Sequence, residues 1–490
     1  MRPLLRCVVG CKAMKVAAPQ ARKAALATRS PLSRLQEADA VFVRNTVAMR
    51  SNELTAEIRG DMTMSGQLRN LWISLATMLA LTYLGSAFAE VSYRVIDLGV
   101  PKDDNYSMVM SVNNQGWTEI MAGNFAPGQG DFVPATPLNG RALINVDGIT
   151  TDLGTLGGPN SWMNWGEIND SGQVVGDSET ASPDPNGEDI CTFGTHLTCR
   201  PFLWQSSHMR ALPTLGGNNG QASAINNRGQ IVGMAENGIV DSSCQPGTTN
   251  NRVQLPVLWE DGEPQALPTV DGDPDGFANW INDRGQAVGF SGTCATPLHA
   301  TPSHAILWEN RTAYPLPDYG TGSTAFGINN RGEVVGTVGS ADGKTQTGAL
   351  WQNDALTAFG LLPGDFGGIA FGNNSKGQVV GANWDSSFHW CHAFIWQNNV
   401  MTDLNTLFPA SSNLFATFAA KINERGEIGG VAIVLSGPHQ GDNHAFLAIP
   451  VKPSSGESVA DVAPTCAIPN SRANAGKQLL QKLGPGRFGR

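Results

Sequence analysis

Short apolar stretches alternate with polar turns along most of this chain, and one such segment recurs. Residues 225–233 read Ile-Asn-Asn-Arg-Gly-Gln-Ile-Val-Gly, with apolar ends around a polar turn. Asn readily bonds its own backbone and Gly accepts a positive φ, so the segment predicts a tight hairpin between two strands. The glycine that ends the turn recurs at seven positions: Gly116, Gly172, Gly229, Gly285, Gly332, Gly377 and Gly426.

The spacing of these glycines predicts a repeat fold. Successive glycines lie 56, 57, 56, 47, 45 and 49 residues apart, and a period near 50 residues is typical of propellers, solenoids and arrays. Each repeat predicts four strands, which in the third repeat are residues 222–225, 230–234, 255–259 and 266–270. Four strands make the blade of a β-propeller, so the expected fold class is all-β.

The two ends of the repeat array complement each other. The seventh repeat ends at residues 444–450 without a fourth strand, whereas residues 93–99 resemble one. An N-terminal strand that paired with the last repeat would hide the edge that an open array leaves exposed. We therefore expect residues 90–450 to form a propeller of four-stranded blades, seven in number and closed by the N-terminal strand.

A targeting segment precedes the repeats. Residues 71–84 are apolar, follow Arg69 and precede Ala-Phe-Ala, which is the arrangement of a secretory signal peptide. Residues 62–89 are therefore predicted to be a signal peptide, and residues 1–61 to lie upstream of the true start or to be an unusual extension. Residues 1–36 carry Arg and Lys but no acid, which leaves a transit peptide as the alternative.

The predicted location is secreted or periplasmic, in a bacterium. An apolar run of 14 residues is short of the roughly 20 that span a bilayer, so stable membrane insertion after cleavage is not expected. Residues 451–490 are rich in Ser, Pro and Gly and are predicted to be a flexible tail.

The cleaved chain is acidic, which bears on its partners. Removing residues 1–89 takes 12 Lys/Arg and 5 Asp/Glu from totals of 32 and 42, leaving 20 and 37 and a net charge of −17. Nucleic-acid binding needs cations that neutralise phosphates, so nucleic acid is excluded as an expected partner. A glycan or an extracellular protein is expected instead, and the oligomeric state is unspecified.

Six cysteines remain after cleavage, and an even number in an exported chain favours disulfides. Cys191 and Cys199 lie close together in one loop and are the favoured pair. The pairing of the others stays open: Cys244, Cys294, Cys391 and Cys466.

Two motifs carry a family resemblance. The segments His-Ala-Phe-Ile-Trp at residues 392–396 and His-Ala-Phe-Leu at residues 444–447 accompany the recurring Ile-Asn-x-x-Gly-Gln-x-Val-Gly. Together they resemble the bacterial HAF-repeat family of predicted extracellular proteins over about residues 93–450. The resemblance implies export and a repeat fold, and it implies no reaction. The first repeat departs from the pattern with Asn145 in place of Trp, and the sixth with Asn373 in place of Ile.

The loops that join second to third strands are long and varied, and variable loops on a rigid scaffold are a usual place for binding. We expect ligand recognition on this long-loop face, through exposed aromatic rings that suit sugars or apolar protein patches. The candidate residues are Trp162, Trp165, Trp280, Trp384, Phe388 and Trp390. Packing between blades is the alternative interpretation, above all for Trp165 and Trp280.

Metal and cofactor chemistry is weakly indicated. No cofactor is expected except, weakly, calcium at Asp271, Asp273 and Asp275, since this Asp-rich turn lacks the bidentate Glu of a helix-loop-helix calcium site. Equivalent histidines of different repeats do not converge around a propeller, so they predict no shared metal. These histidines are His304, His392 and His444.

Catalytic constellations are scarce, so a non-enzymatic binding protein is the first expectation. The alternatives are a hydrolase or lyase acting on extracellular polysaccharide, and a structural component of the cell envelope. A hydrolase would need two opposed carboxyls. The long-loop acids are expected to be solvated charges: Asp177, Glu179, Asp184, Glu188 and Asp189.

Processing of the exported chain tests the predicted signal peptide. Cleavage after Ala89 should leave Glu90 as the first residue, because the small-residue pattern of the cleavage site ends there. Edman sequencing of the protein recovered from the culture medium or periplasm checks this. A mature N-terminus well upstream of Glu90 would contradict it.

Overall fold

The computed structural model describes residues 92–124, 138–163, 167–294, 304–386 and 389–451, with the side chains of residues 390 and 391 left out. Within these ranges the chain forms 28 strands and one short 3-10 helix, Leu404–Leu407. The predicted signal peptide, the segment before it and the predicted tail beyond residue 451 lie outside the described residues, so those predictions remain predictions.

The strands are numbered in chain order. They are β1 Ser92–Gly99, β2 Tyr106–Val112, β3 Thr118–Asn124, β4 Asn139–Val146, β5 Ile149–Asp152, β6 Gly157–Trp162, β7 Val174–Pro183, β8 Leu197–Gln205, β9 His208–Ala211, β10 Gly220–Ile225, β11 Ile231–Val240, β12 Arg252–Glu260, β13 Glu263–Ala266, β14 Asp275–Ile281, β15 Ala287–Gly292, β16 His304–Glu309, β17 Thr312–Pro315, β18 Ser323–Ile328, β19 Val334–Gly339, β20 Gln346–Gln352, β21 Ala355–Ala358, β22 Gly367–Asn373, β23 Val379–Trp384, β24 Trp390–Gln397, β25 Val400–Asp403, β26 Leu414–Ile422, β27 Ile428–Val434 and β28 Asn443–Val451.

Five sheets contain four strands each, in the orders β6-β7-β8-β9, β10-β11-β12-β13, β14-β15-β16-β17, β18-β19-β20-β21 and β22-β23-β24-β25. The remaining strands share one sheet of order β26-β27-β28-β2-β3-β4-β5, in which β1 also pairs with β28. The β1–β28 pair is antiparallel and runs from Ser92 opposite Val451 to Gly99 opposite Ala445. Sequential antiparallel sets of four strands define a β-propeller, so the expected all-β class is confirmed.

The recurring turn forms the hairpin between the first and second strands. In the third repeat, Asn226 Oδ1 accepts from the backbone N of Arg228 and of Gln230, both at 3.0 Å. Gly229 closes the turn at a φ of 79°, a conformation in which a Cβ is strained. The side chain of Asn226 thus replaces backbone partners inside the turn, as Asn does in Asx turns.

In the third repeat, the fourth strand begins earlier than predicted. β13 is Glu263–Ala266, whereas the sequence pattern placed this strand at residues 266–270. Asp261 and Gly262 both have positive φ, at 54° and 86°, so they form a two-residue hairpin loop that reverses the chain at once. The prediction was wrong because the apolar residues that it followed lie beyond the strand, on the connection to the next repeat.

The turn asparagines also join neighbouring repeats. Each one donates a hydrogen bond from its Nδ2 to the backbone O of the next turn's asparagine, at 2.8–3.1 Å, and the last donates to the first. We call these seven buried residues the asparagine cycle: Asn113, Asn169, Asn226, Asn282, Asn329, Asn374 and Asn423. The sequence predicted their role in the turn and missed the bond between repeats.

A second layer of hydrogen bonds lies on the solvent side of this cycle. The backbone N of Asp170 donates to Asn227 Oδ1 at 2.8 Å, and the backbone N of Asn227 donates to Asp283 Oδ1 at 2.9 Å. The equivalent hydrogen bond joins the last turn to the first, where the backbone N of Glu424 donates to Asn114 Oδ1 at 3.1 Å. Both layers hold adjacent repeats at the same level.

Tryptophans of the third strands pack between repeats. The indoles of Trp259, Trp308 and Trp351 are buried. Each Nε1 donates at 2.7 Å to the carbonyl of a proline that follows the preceding repeat, such as Pro213 for Trp259. The centre of the long-loop side is filled by apolar side chains, among them Phe371, which stacks on Phe326 and meets Phe418 edge-on.

Two neighbouring asparagines of one turn test the asparagine cycle. Asn226→Ala should lower the free energy of unfolding by about 2 kcal/mol or more, because it leaves the buried carbonyl of Asn282 and two partly buried backbone amides without partners. Asn227→Ala, which changes an exposed side chain in the same turn, should cost about 1 kcal/mol or less. Urea unfolding of both variants measures the difference. Equal losses would mean that the inner bond contributes nothing special.

Candidate functional site

At one position of the repeat, the residues of all seven repeats lie next to a cavity between the turns. This position lies two residues before the turn asparagine of each repeat, and its occupants are Ser111, Glu167, Ala224, Trp280, Gly327, Gly372 and Lys421. In six of the seven described repeats a β-bulge comes immediately before it. A bulge turns the following side chain out of the regular alternation of the strand.

The glycines at this position leave space for the large side chains of other repeats. A Cβ added to Gly327 would lie 2.8 Å from the backbone O of Phe371, and one added to Gly372 would lie 2.9 Å from that of Ala420. Real Cβ atoms do not come so close to backbone, so these repeats are restricted to glycine here. The three large occupants, Glu167, Trp280 and Lys421, therefore stand without competing side chains from these two repeats.

These three side chains meet in a cavity of about 90 Å³ that residues from all seven repeats line. The ammonium of Lys421 lies 3.7 Å from Oε1 of Glu167 and 3.2 Å from the centroid of the Trp280 ring. Oε2 of Glu167 accepts from the backbone N of Ile225 at 3.2 Å. A carboxyl, an ammonium and an indole thus form one connected group.

Burial shifts both charged groups toward neutrality. The side chains of Glu167 and Lys421 are only 15% and 14% exposed. Burial raises the pKa of Glu167 to about 8 although Lys421 lowers it, and burial lowers the pKa of Lys421 to about 8 although Glu167 raises it. A carboxyl and an amine that titrate in the same range can exchange a proton near neutral pH.

A second carboxyl lies behind this pair. Glu119 occupies the second-strand position that holds buried valine in other repeats, such as Val175 and Val232. It is fully buried, and neither carboxyl oxygen has a hydrogen-bond partner within the described residues. Burial, and next the charge of Glu167, raise the pKa of Glu119 well above its ordinary value. The charged form of Glu119 is therefore disfavoured.

The predicted aromatic platform does not form as expected. Trp162 and Trp384 are 2% and 3% exposed and belong to the core of the long-loop side, so their rings are not available to stack on a ligand. Trp280 is 6% exposed and lies in the central cavity on the turn side, away from the long loops. Trp165 and Phe388 lie outside the described residues, and for Trp390 only the backbone on β24 is described.

Two disulfides staple the long loops. Cys191 and Cys199 are bonded, which confirms the favoured pair. Cys244 and Cys294 are bonded as well and join the long loops of two successive repeats. The pairing of Cys391 and Cys466 lies outside what the structure describes.

The long-loop acids are buried, so the expectation of solvated charges was wrong. Asp177, Glu179 and Glu188 are at most 1% exposed, and Asp184 is 6% exposed. Burial raises the pKa of Asp177 to about 7.

These buried carboxylates accept hydrogen bonds from the loops around them. Glu188 accepts from the backbone N of Asn251 at 3.0 Å and of Arg252 at 3.2 Å, across to the next repeat. Asp184 accepts from Asn219 Nδ2 at 2.9 Å. They hold the loops in place, which is why burial is tolerated.

The three aspartates of the predicted calcium turn are not brought together. Asp273 accepts from Ser291 Oγ at 2.6 Å and pairs with His304 at 2.8 Å. Asp275 is buried and accepts from the backbone N of Gln254 at 2.7 Å. Asp271 is exposed. Each carboxylate therefore has its own surroundings.

Sequence reasoning missed Glu167, Lys421 and Glu119. The signal was present, because aligning the seven repeats shows charged residues at positions that are otherwise small or apolar. The repeat drew attention to what the copies share, whereas the candidate site consists of places where single copies differ.

Comparison with known proteins shows no family for this chain. No protein-family model matches the chain, and no curated protein matches it significantly. The β-propeller domain of the Trilobed protease from Pyrococcus furiosus is 11% identical over 60% of this chain and 79% of that one, with a TM-score of 0.39. The acylaminoacyl peptidase of Pyrococcus horikoshii is 9% identical over 70% and 52%, with a TM-score of 0.42.

The Trypanosoma rangeli sialidase is 8% identical over 73% of this chain and 59% of that one, with a TM-score of 0.35. This chain spans about half of the peptidase's length and less than two thirds of the sialidase's. Such low values carry no information on activity.

Within the described ranges, no helix has the length and apolar character needed to cross a membrane.

We expect the stability of the protein to depend on pH, because the pKa of Glu167 is raised in the folded state. Between its ordinary value of 4.5 and about 8, the folded state keeps a proton that the unfolded state loses, so stability falls as pH rises. The slope approaches about 1.4 kcal/mol per pH unit for one full proton. We expect the wild type to lose stability relative to Glu167→Gln between pH 5 and 7.5, measured by urea unfolding.

Glu263→Gln is the matched control, because Glu263 is an exposed carboxyl on an outer strand. Its stability should parallel that of the wild type over the same pH range. Parallel profiles for the wild type and Glu167→Gln would contradict the raised pKa.

Proposed function

We propose that the chain is an exported, non-enzymatic β-propeller of seven four-stranded blades that binds the end of a glycan at its centre. The observation that carries this proposal is the meeting of Glu167, Trp280 and Lys421 in one cavity. They come from equivalent positions of three repeats, and nothing in the scaffold requires charged groups there, since the same position is Ala224 or glycine elsewhere.

The blade count and the closure are part of the proposal. Counting the eight-stranded sheet as two blades gives seven sets of four strands. The pairing of β1 with β28 and the bond from Asn423 to Asn113 at 2.8 Å both support closure by the N-terminal strand.

The chemistry of the cavity favours a hydroxyl-rich ligand. A sugar hydroxyl both donates and accepts, and the carboxyl of Glu167 and the amine of Lys421 offer an acceptor and a donor 3.7 Å apart. Because both groups titrate near pH 8, each can exchange the roles of donor and acceptor with a hydroxyl group. The cavity holds a few water molecules or a ligand fragment of that size, which suits the terminus of a chain better than a protein surface.

This proposal places recognition on the turn side, whereas the sequence pattern favoured the long-loop face. The long-loop face is instead cross-linked by two disulfides, which supports export because disulfides persist in oxidising compartments. Membership of the HAF-repeat family and a secreted or periplasmic location belong to the same proposal.

A glycan array probed with the full chain tests the binding role. The wild type should retain one class of glycan, and Glu167→Gln and Lys421→Met should weaken it by about tenfold or more, since each removes a charge-assisted hydrogen bond. Asp342→Asn, which changes an exposed loop carboxyl, should bind as the wild type does. Equal binding by all four proteins would mean that the glycan does not bind at Glu167 and Lys421. If the wild type retains no glycan, the binding role is rejected in favour of a structural envelope component.

A hydrolase or lyase acting on extracellular polysaccharide is the second candidate. The observation that favours it is the pair of pKa values near 8, which would let Glu167 donate a proton and the Lys421 amine accept one. Incubation of each retained glycan with the wild type and with Glu167→Gln distinguishes the two. Product formed by the wild type alone would support catalysis, and an unchanged glycan would reject it.

A further inference from the structure

Three side chains with ligand chemistry lie together at the loop before β28. His439, Asp442 and His444 each place one nitrogen or carboxylate oxygen within 4.8 Å of the others. Nδ1 of His439 is 3.1 Å from Oδ2 of Asp442, and the two histidine rings are 5.4 Å apart. Two imidazoles and one carboxylate are a ligand set that zinc takes in proteins.

The buried histidine of this group has a free nitrogen. His444 is 4% exposed, and its Nδ1 lies 2.9 Å from Oδ1 of Asp97. An ionised carboxylate only accepts, so Nδ1 carries the proton and Nε2 presents a lone pair. Nε2 is buried and has no hydrogen-bond partner within the described residues. Buried acceptors are normally satisfied, so this atom indicates a missing partner.

The comparison with other repeats separates scaffold from site. His304 pairs with Asp273 at 2.8 Å and His392 with Asp365 at 3.0 Å, so a histidine on the third strand paired with an aspartate is a repeated feature. Among the described residues, neither of these two histidines belongs to a group of close ligand atoms. In the last repeat, His439 and Asp442 lie beside the pair of His444 and Asp97.

We propose that His439, Asp442 and His444 bind a zinc ion, with Asp97 as a positioning residue. A carboxylate that holds the distal N–H of a metal-bound histidine fixes the tautomer and the direction of the ring, and Asp97 is placed to do this for His444. Ligand atoms around tetrahedral zinc lie about 3.4 Å apart at bond lengths of about 2.0–2.1 Å. The side chain of His439 is 58% exposed and is free to rotate by the small distance required.

The site joins two parts of the fold. Asp97 lies on β1, His444 lies on β28, and His439 and Asp442 lie on the loop between β27 and β28. A bound zinc ion would therefore fasten this loop to the β1–β28 pair. Three protein ligands leave a fourth position for water, which is the arrangement of open zinc sites.

Calorimetric titration of ZnCl2 into the EDTA-treated, dialysed full chain tests the site. The wild type should bind one zinc ion, and His439→Ala and Asp442→Asn should each bind at least about tenfold more weakly. Both changes lie in a partly exposed loop, so folding should be kept, and circular dichroism checks it. Asp97→Asn should weaken binding by about 10- to 100-fold with the same stoichiometry, as loss of an outer partner does.

His304→Ala is the matched control, since it removes the equivalent histidine of another repeat and should leave zinc binding unchanged. A wild type that binds no zinc would overturn the proposal. Zinc binding that His439→Ala and Asp442→Asn leave intact, or that His304→Ala abolishes, would overturn it as well. Weaker zinc binding by His439→Ala and Asp442→Asn, together with unchanged binding by His304→Ala, supports the proposal.

Discussion

The hydrogen bond from each turn asparagine to the next turn is the interaction on which the rest of the structure depends. The asparagine side chain uses its oxygen inside its own turn and its nitrogen on the neighbouring repeat, as in Asn226. It therefore couples the shape of a hairpin to the distance between hairpins. Because these amides are buried, a lost bond leaves unpaired polar atoms, which is costly.

The fixed spacing of the turns also determines where the strand residues just before them lie. Once the turns meet at one level, the residue two positions before each turn asparagine lies next to the same small space. Glycine or alanine leaves that space open, and Glu167, Trp280 and Lys421 fill it. The repeated scaffold thus positions a site that no single repeat contains, and variation between the copies decides its chemistry.

The sequence predicted the class of fold well, because the repeat spacing and the turn chemistry are local signals. Hairpins follow from Asn and Gly at fixed places, and the disulfide of Cys191 and Cys199 follows from closeness along the chain. The burial of Glu188 could not be predicted, because it depends on the loop of the next repeat whose backbone at Asn251 and Arg252 covers it.

The candidate sites were missed for a related reason. Glu167 and Lys421 are 254 positions apart in the sequence, and only the folded chain brings their side chains to within 3.7 Å of each other. The His439 group is local, but its significance rests on Asp97 at the other end of the array. Apolar periodicity carries no information on such contacts, whereas alignment of the repeats against one another carries some.

A crystal structure of the mature chain tests the central claim most directly, through the distance between the first and last turns. The account predicts that Asn423 Nδ2 lies about 3 Å from the backbone O of Asn113, within hydrogen-bond distance, and that the Lys421 ammonium lies beside the Glu167 carboxyl. A gap between the first and last repeats, with Glu167 and Lys421 in separate surroundings, would contradict it.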